Sequence, residues 1–422
     1  MKILRETKRI LEFDSSKIYK SSLYNIVEEM NGKYIIYNTA SGAIAEGSCT
    51  FDRDNFDNNK ELLVKNGFLV TDEDEYLNYI KDINFKTKSS PDCFTIIPTT
   101  GCNAKCFYCY EEEYCKKSID EQSRKKIVNY ISSCIKDKES FTLDWFGGEP
   151  LLCAKEIDLI IADIKENVPL DDKNWTSSIT TNATLFTHGL IDHAIKNWHL
   201  SIAHITIDGV ESDHNMRKNV HIGKKSAYKV TTEAIRYLLK NGVYVNLRIH
   251  LDNLNKNSFP DIIDGIFDFF DYPNFNLFPT FLFPPEKEMP KSYIKDIQKE
   301  DLFYDVFRIL KEKNIINNYF EKMPYPKKNG CFATCENNVV ISYNASLHSC
   351  VQEFENTTEE SEKKFFNIES ELGSCKSCKY FPICLGGCLH NRAIENTVRT
   401  PCVRNRYTIH PLMRLMLEEG NS

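Results

Sequence analysis

The residues best suited to chemistry are three cysteines, Cys102, Cys106 and Cys109, in the stretch Thr99-Thr100-Gly101-Cys102-Asn103-Ala104-Lys105-Cys106-Phe107-Tyr108-Cys109-Tyr110-Glu111. A short apolar run, Phe94-Thr95-Ile96-Ile97, precedes them and reads as a strand, so the cysteines fall in the loop leaving its end. With C-x3-C-x2-C spacing, such a loop can turn three thiolates toward one point. Three thiolates suit a [4Fe–4S] cluster with one iron left without a protein ligand. A zinc site more often offers a fourth Cys or His, and Cys115 could serve as that ligand.

A second cysteine group begins at Cys331. It runs Cys331-x3-Cys335-x14-Cys350, then a 24-residue acidic spacer, then Cys375-x2-Cys378-x5-Cys384-x3-Cys388-x13-Cys402. Eight cysteines make two complete four-cysteine cluster sites by count. A zinc ribbon built on C-x2-C is the alternative. Of the 16 cysteines in the chain, this leaves Cys49, Cys93, Cys115, Cys134 and Cys153, which read as small core residues. So many cysteines without an N-terminal signal point to metal rather than disulfides.

Between the two groups lie polar motifs at the ends of apolar runs. Gly147-Gly148-Glu149-Pro150 offers glycines that let backbone approach a ligand and a Glu that can pair with an ammonium; alone it is a turn with a solvated acid. Thr181-Asn182-Ala183-Thr184 offers polar groups, or simply a turn capped by Asn182. Ile205-Thr206-Ile207-Asp208-Gly209, followed by His214-Asn215-Met216-Arg217, offers Asp208 and Arg217 as organisers of a site rim or as a structural salt bridge. Arg248 could hold a carboxylate through a bidentate contact, or form a surface ion pair.

Taken together these motifs resemble the radical S-adenosylmethionine (radical SAM) enzymes, including the aromatic Tyr108 just before the third cysteine. Ala183 stands where Gly is more usual, and the fourth-strand region resembles members carrying a SPASM extension, with Thr206 for Ser and Asn215 for Asp. The C-terminal cysteines resemble the SPASM domain itself. There Ala345 replaces a Gly found five residues before Cys350, and the first gap is short. The resemblance implies that the open iron of the Cys102–Cys106–Cys109 cluster binds the amino and carboxylate groups of S-adenosyl-L-methionine. One electron then cleaves it, and a 5′-deoxyadenosyl radical abstracts hydrogen from the substrate. It implies cofactor contacts from Tyr108, Gly147, Gly148, Glu149, Thr181, Asn182, Asp208 and Arg248. It also implies two auxiliary [4Fe–4S] clusters, one on Cys331, Cys335, Cys350 and Cys388 and one on Cys375, Cys378, Cys384 and Cys402, three clusters in all. A reducing partner such as flavodoxin or ferredoxin follows from the same chemistry.

The elements that must position these residues are legible in outline. The chain has 422 residues, 41% apolar, enough for two or three domains. A net charge of −7 and the lack of a basic run with interleaved aromatics argue against a nucleic-acid partner. Without an apolar signal core or a run of about 18 apolar residues, a soluble, cytoplasmic protein with no membrane partner is expected. Residues 92 to about 315 alternate short apolar runs with amphipathic helices, the pattern of parallel β/α units. Ser118 with Glu121 reads as a capping box for the first of these helices, and Phe259 to Phe270 reads as the last of them. The motifs fall at strand C-terminal ends, where such sheets place ligands. The expected fold is α/β, a partial (β/α)6 barrel over residues 89–315 followed by a cysteine-rich Fe–S domain over 316–422.

Ahead of the barrel, residues 1–88 read as a small α+β unit. Two strands flank Asn31-Gly32, a favoured hairpin turn, a third follows Ser41-Gly42, and short helices are expected at Asn58–Lys65 and Asp72–Ile83. This pattern resembles the leader-peptide recognition domain fused to many radical SAM peptide maturases, where an exposed strand edge accepts the leader as an added strand. A ligand-free capping domain is the alternative. The resemblance implies a maturase that acts on a ribosomally made precursor peptide and installs a cross-link, a thioether being the first expectation. The alternatives are a sulfatase-type formylglycine maturase, which carries Asp where this chain has Val351, and a non-catalytic Fe–S electron carrier or peptide binder.

Overall fold

A computed structural model describes residues 1–7, 12–48, 59–71, 90–111, 115–220, 222–223, 225–283, 290–328, 330–335, 337–353, 373–393 and 401–420. The expected helix at Asp72–Ile83 lies outside these residues. Among them, no helix is long and apolar enough to cross a membrane.

The N-terminal unit is a four-stranded antiparallel sheet in the order β1-β5-β4-β3, built from β1 (Lys2–Arg5), β3 (Asn25–Met30), β4 (Lys33–Asn38) and β5 (Ile44–Ser48). Asn31 and Gly32 both take positive φ, 52° and 72°, as a type I′ hairpin turn requires. β1, only four residues long, is too short to announce itself. A short ribbon of β2 (Lys20–Ser21) and β6 (Leu69–Val70) and the helix α1 (Lys60–Lys65) complete the unit. Period-two alternation gives the sheet two apolar faces. Tyr34, Ile36, Ala43 and Ala45 pack with Leu63, Val64 and Phe68, while Ile26, Ile35, Tyr37 and Ile44 join the main core.

That core is a parallel α/β array. Strands β7 (Cys93–Ile96), β8 (Ser140–Trp145), β9 (Asn174–Thr181), β10 (Leu200–Ile207), β11 (Tyr244–Leu251) and β12 (Phe275–Phe281) pair in sequence order, all parallel. Helices α2 (Glu121–Ile135), α3 (Ala154–Asn167), α4 (His188–Asn197), α5 (Glu211–Lys218), α6 (Ala227–Lys240), α7 (Phe259–Gly265) and α8 (Lys299–Glu312) connect them or follow them. Residues such as Leu143, Ile179, Ile205, Leu247 and Ile249 are buried in the core with the helices. The alternate residues, among them Thr95, Asp144, Ser178, His204, Thr206, Arg248 and His250, form a polar opposite face. Such a face needs its own hydrogen bonds, and Asp144 accepts from Thr95 (3.2 Å) and Ser178 (2.5 Å).

Three local expectations are corrected. α2 is capped by Asp120, whose carboxylate accepts from Ser123 N at 2.7 Å, not by a Ser118–Glu121 box. Ser118 is drawn away to Thr99, hydroxyl to hydroxyl at 2.9 Å. The helix expected over Phe259–Phe270 stops at Gly265 and continues as a separate 3-10 turn, Phe267–Asp271. At Gly265 a Cβ would lie 2.5 Å from the Tyr228 hydroxyl. The sheet also does not end at six strands. β13 (Asn338–Ile341) joins the β7 edge in parallel and β14 (Leu347–His348) folds back on it, so a hairpin from the cysteine-rich region extends the barrel sheet.

The C-terminal region adds α9 (Phe381–Cys384), α10 (Leu389–Ala393) and the long α11 (Arg404–Glu419). α11 lies between α8 and the N-terminal sheet. Ile409, Leu412 and Met413 are buried with Ile26 and Tyr37, and Glu28 on β3 bonds His410. The N-terminal unit thus docks on the cysteine-rich region: Tyr24 packs with Phe381 and Leu389, and Thr39 Oγ1 donates to Lys379 O at 2.5 Å.

Candidate active site and cluster-binding regions

The three-cysteine loop is locked to the strand ends by backbone. Gly148 N donates to Thr99 O (3.1 Å) and Glu149 N to Gly101 O (2.9 Å). The fit leaves no room for side chains. A Cβ on Gly147, at φ 119°, would stand 2.4 Å from Thr99 O, and one on Gly148 2.3 Å from Gly101 O. The two glycines are therefore required by the cluster loop itself.

Glu149 is fully buried. Its carboxylate accepts from Leu151 N (3.1 Å), Thr181 Oγ1 (2.7 Å) and Asn182 N (2.8 Å). Burial raises its pKa, and these three donors act against the rise. The side chain ties the Gly147-Gly148 turn to the end of β9. Asn182 completes the bridge: its amide donates to Asn103 Oδ1 at 2.8 Å and approaches Cys102 Sγ at 3.9 Å. The next residue, Ala183, has φ 61° and no exposed surface.

A buried polar network lies on the other side of the loop. Asp208, at the end of β10, accepts from the Tyr108 hydroxyl at 2.6 Å and pairs with Lys218 Nζ at 3.2 Å. Lys218 also donates to Tyr108 Oη at 3.0 Å, and its carbonyl accepts from Lys105 N within the loop. Burial alone would raise the Asp208 pKa; the Lys218 ammonium and His250 hold it far below the usual carboxylate range instead. The ring of His250 stands edge-on to Tyr108 with centroids 5.2 Å apart. Arg217 does not pair with Asp208. It forms a buried bidentate pair with Asp252, at 2.6 and 3.4 Å, and covers the Phe107 ring at 5.0 Å. Lys218 was not singled out from the sequence, where it is one cation beside another; only the fold shows that it is buried.

Arg248 lies in register between Thr206 and Phe278. The residue keeps exposed surface on the polar face, and desolvation by its surroundings lowers its pKa. The site therefore gathers Tyr108, Gly147, Gly148, Glu149, Thr181, Asn182, Asp208 and the three cysteines around the ends of β7 to β10. Arg248 stands on the neighbouring β11.

Among the described residues no three His, Cys, Asp or Glu side chains converge as ligands of a single ion would. The fit to clusters rests on how the thiols group. Burial pushes Cys109 up to about 12, and Glu111, Cys106 and Cys102 add to the rise. Burial likewise pushes Cys350 up to about 12, with Cys331 and Cys388 contributing. It does the same to Cys384, with Cys378, Cys375 and Cys402 contributing. Desolvated thiols crowded in this way are stable as thiolates only against a cationic centre. Cys115, by contrast, is exposed. At Gly387 a Cβ would lie 2.0 Å from Pro401 O, and Cys388 N donates to that oxygen at 2.8 Å. This close crossing sets the segments carrying Cys388 and Cys402 side by side.

A parallel half-barrel with a three-cysteine loop at its strand ends defines the class. Residues 96–266 match the Radical SAM superfamily, so the chain carries a radical SAM domain. It is 24% identical over 335 residues to a cysteine-type anaerobic sulfatase-maturating enzyme of Clostridium novyi, covering 70% of this chain and 86% of that one. It is 25% identical over 170 residues to an Fe-coproporphyrin III synthase of Methanosarcina barkeri, covering 39% and 38% respectively. Among solved structures, anSMEcpe with bound AdoMet and Cp18Cys peptide shares the fold with a TM-score of 0.57 and 17% identity, over 78% of this chain and 99% of that one.

Proposed function

We propose that the protein is a radical SAM peptide maturase in which residues 1–88 hold the leader of a precursor peptide, residues 89–315 perform the hydrogen abstraction, and residues 316–422 hold two auxiliary clusters. The observation that carries this reading is the meshing of the Cys102–Cys109 loop with Gly147–Glu149 and Thr181–Asn182 at the strand ends. When bound, the cluster on Cys102, Cys106 and Cys109 supplies the electron that cleaves S-adenosylmethionine to the hydrogen-abstracting radical.

The chain's own residues do the rest. Glu149 fixes the Gly147-Gly148 turn through its three hydrogen bonds, and the Gly147–Glu149 segment would hold the cofactor's amino group. The Tyr108–Asp208–Lys218 network braces the loop from the far side, and Arg248 offers a guanidinium to a carboxylate. The polar face built on Asp144, Ser178 and His204 holds the core peptide. In the N-terminal sheet, β1 and β3 are edges, and among the described residues neither has a further strand partner. An edge of this kind recruits an extended peptide through backbone pairing. A thioether from a substrate Cys sulfur to carbon is the favoured product.

A second reading is maturation of a sulfatase, favoured by the likeness to the Clostridium novyi enzyme over 335 residues. Val351 following Cys350 counts against it, because sulfatase maturases resembling this layout carry Asp there. One assay separates the readings: reconstituted enzyme, reductant, S-adenosylmethionine and precursor, with 5′-deoxyadenosine and peptide mass measured together. A cross-link removes one hydrogen pair from the peptide, whereas formylglycine introduces an aldehyde that hydrazide reagents capture. Cys106→Ala is expected to abolish 5′-deoxyadenosine. Cys384→Ala is expected to retain some and lose modified peptide. Deleting residues 1–88 is expected to weaken precursor binding while cofactor cleavage continues. Lack of any 5′-deoxyadenosine from an iron-replete protein would remove the enzymatic reading altogether.

A further inference from the structure

Two arginines outside every motif considered so far point at sulfur. Arg392, on α10, donates through Nη2 to Cys375 Sγ at 3.0 Å and to Gly386 O at 2.6 Å. Arg406, in the first turn of α11, donates through Nη1 to Cys402 Sγ at 2.9 Å. Both are only partly exposed. Both sulfurs fall in the one proposed set: Cys378 N donates to Cys375 O at 3.1 Å, and Cys378 and Cys402 pack against the same core cluster.

The guanidinium groups are held there by more than the sulfur. The carbonyl of Gly386, in the turn before Cys388, fixes Arg392. Arg406 lies between two aromatic rings, 5.5 Å from the Tyr380 centroid and 5.6 Å from that of Tyr407.

We infer that Arg392 and Arg406 are positioning residues that set the reduction potential of the cluster held by Cys375, Cys378, Cys384 and Cys402. The inference rests on the reading above that this set binds a [4Fe–4S] cluster. The physical argument is electrostatic. Taking up one electron adds one negative charge to the cluster and its thiolates. Permanently cationic guanidinium groups that donate to the ligating sulfurs stabilise that more negative state, so they raise the potential. Two such groups on one cluster make it an electron acceptor rather than a donor. An acceptor of this kind fits a product-forming step in which the substrate, after losing hydrogen, must still give up one electron. The reductant in the test is dithionite, which supplies the electron directly.

The test uses the full chain with Cys102, Cys106 and Cys109 all changed to Ala, reconstituted with iron and sulfide, so that only the auxiliary signals remain. Arg392→Gln and Arg406→Gln each remove a charge at similar volume. Potentiometric titration followed by electron paramagnetic resonance reads the midpoints, and iron analysis runs on the same samples. Each substitution is expected to make reduction about tenfold harder, a downward shift of about 59 mV for a one-electron couple, in one auxiliary signal and not in the other. Arg406→Lys keeps the charge and is expected to recover most of the shift. If a Gln variant loses iron, the Lys variant is compared with the parent, and a smaller downward shift is expected. Unchanged midpoints in iron-replete variants would overturn the inference. If Cys375→Ala and Cys402→Ala leave the iron content at the parent's value, the set holds no cluster, and the underlying reading fails instead.

Discussion

The loop carrying Cys102, Cys106 and Cys109 leaves β7, a strand with parallel neighbours on both sides, whereas the eight C-terminal cysteines stand on much slighter supports. The first loop is clamped by backbone bonds to Gly148 and Glu149, by the Asn182–Asn103 contact and by the Lys218 carbonyl. The second group sits on 3-10 turns at Phe332–Thr334 and Gly373–Ser377, on helices of four and five residues, and on the start of α11. Helices that short have no stability of their own. One region is therefore a scaffold built by its own hydrogen bonds. The other is a set of turns for which the cluster would be part of the scaffold, as in metal domains where binding energy is folding energy.

The largest expected effect follows from that difference. Removing iron with a chelator should leave β7 to β13 protected while amide exchange rises around Cys331–Cys335 and throughout residues 373–393. Hydrogen exchange with peptide-level readout checks this, since local openings report local stability. Equal protection of both regions before and after chelation would show that the C-terminal turns stand by themselves.

Within the barrel the comparison can be sharpened at Lys218. Its ammonium is buried and paired with a fully buried carboxylate, Asp208. Lys218→Met leaves that carboxylate without its cation, and breaking a buried pair in this way costs about 3–5 kcal/mol. Urea unfolding should show a loss of this size. Asp208→Asn combined with Lys218→Met should recover much of it, because no uncompensated charge then remains. A loss below about 1 kcal/mol in the single variant would mean that water reaches the pair.

The same contrast explains what the sequence made legible. The six parallel strands could be read because apolar runs alternate with amphipathic helices, and the first four runs are each ended by a motif. The Asn31-Gly32 hairpin was equally plain, since the turn chemistry is local. What stayed hidden depended on partners distant in the chain. β1 is only four residues long and is made into a strand by Ile44–Glu46, and β13 reads as isolated until it meets β7, more than 240 residues earlier in the chain. Glu149 invites the reading of a ligand-binding acid, and its three donors from strand and turn cannot be seen in Gly-Gly-Glu-Pro. Arg217 and Lys218 are adjacent cations. Only the geometry of α5 sends one to Asp252 and the other to Asp208.

A smaller effect concerns the joint between the N-terminal sheet and the cysteine-rich region. Burial pushes the Glu28 carboxyl up, but the bond to His410 and the charges of His410 and Arg414 bring it below its ordinary value. A carboxyl lowered in the folded state contributes stability that is present above its unfolded pKa, about 4.5, and lost as pH falls through the lower folded value. Glu28→Gln should therefore cost about 1 kcal/mol at neutral pH, the half-buried site moderating a charged hydrogen bond. The difference from the parent should vanish in acid. Thermal melts across the acid range check the convergence, and parallel curves at every pH would place the joint's stability elsewhere.

The smallest effect compares two alanines. Ala183, behind Asn182, and Ala345, in the turn between β13 and β14, both take positive φ, 61° and 67°. A left-handed backbone costs a non-glycine residue about 1–2 kcal/mol, while a glycine adds about 0.4–1 kcal/mol of unfolded-state entropy. On this account alone each Ala→Gly change should stabilise by roughly 0.5–1 kcal/mol. Burial separates them. Ala183 has no exposed surface, so Ala183→Gly also removes a buried methyl worth about 0.8 kcal/mol, and its gain should fall to about zero. Ala345 is partly exposed and keeps most of its gain. The strain is therefore still measurable at the slightly supported turn, whereas beside the cluster loop packing cancels it. Denaturant midpoints of Ala345→Gly and Ala183→Gly against the parent, with iron content matched, read that ordering; a larger gain at Ala183 would show that strain rather than packing dominates behind the Cys102 loop.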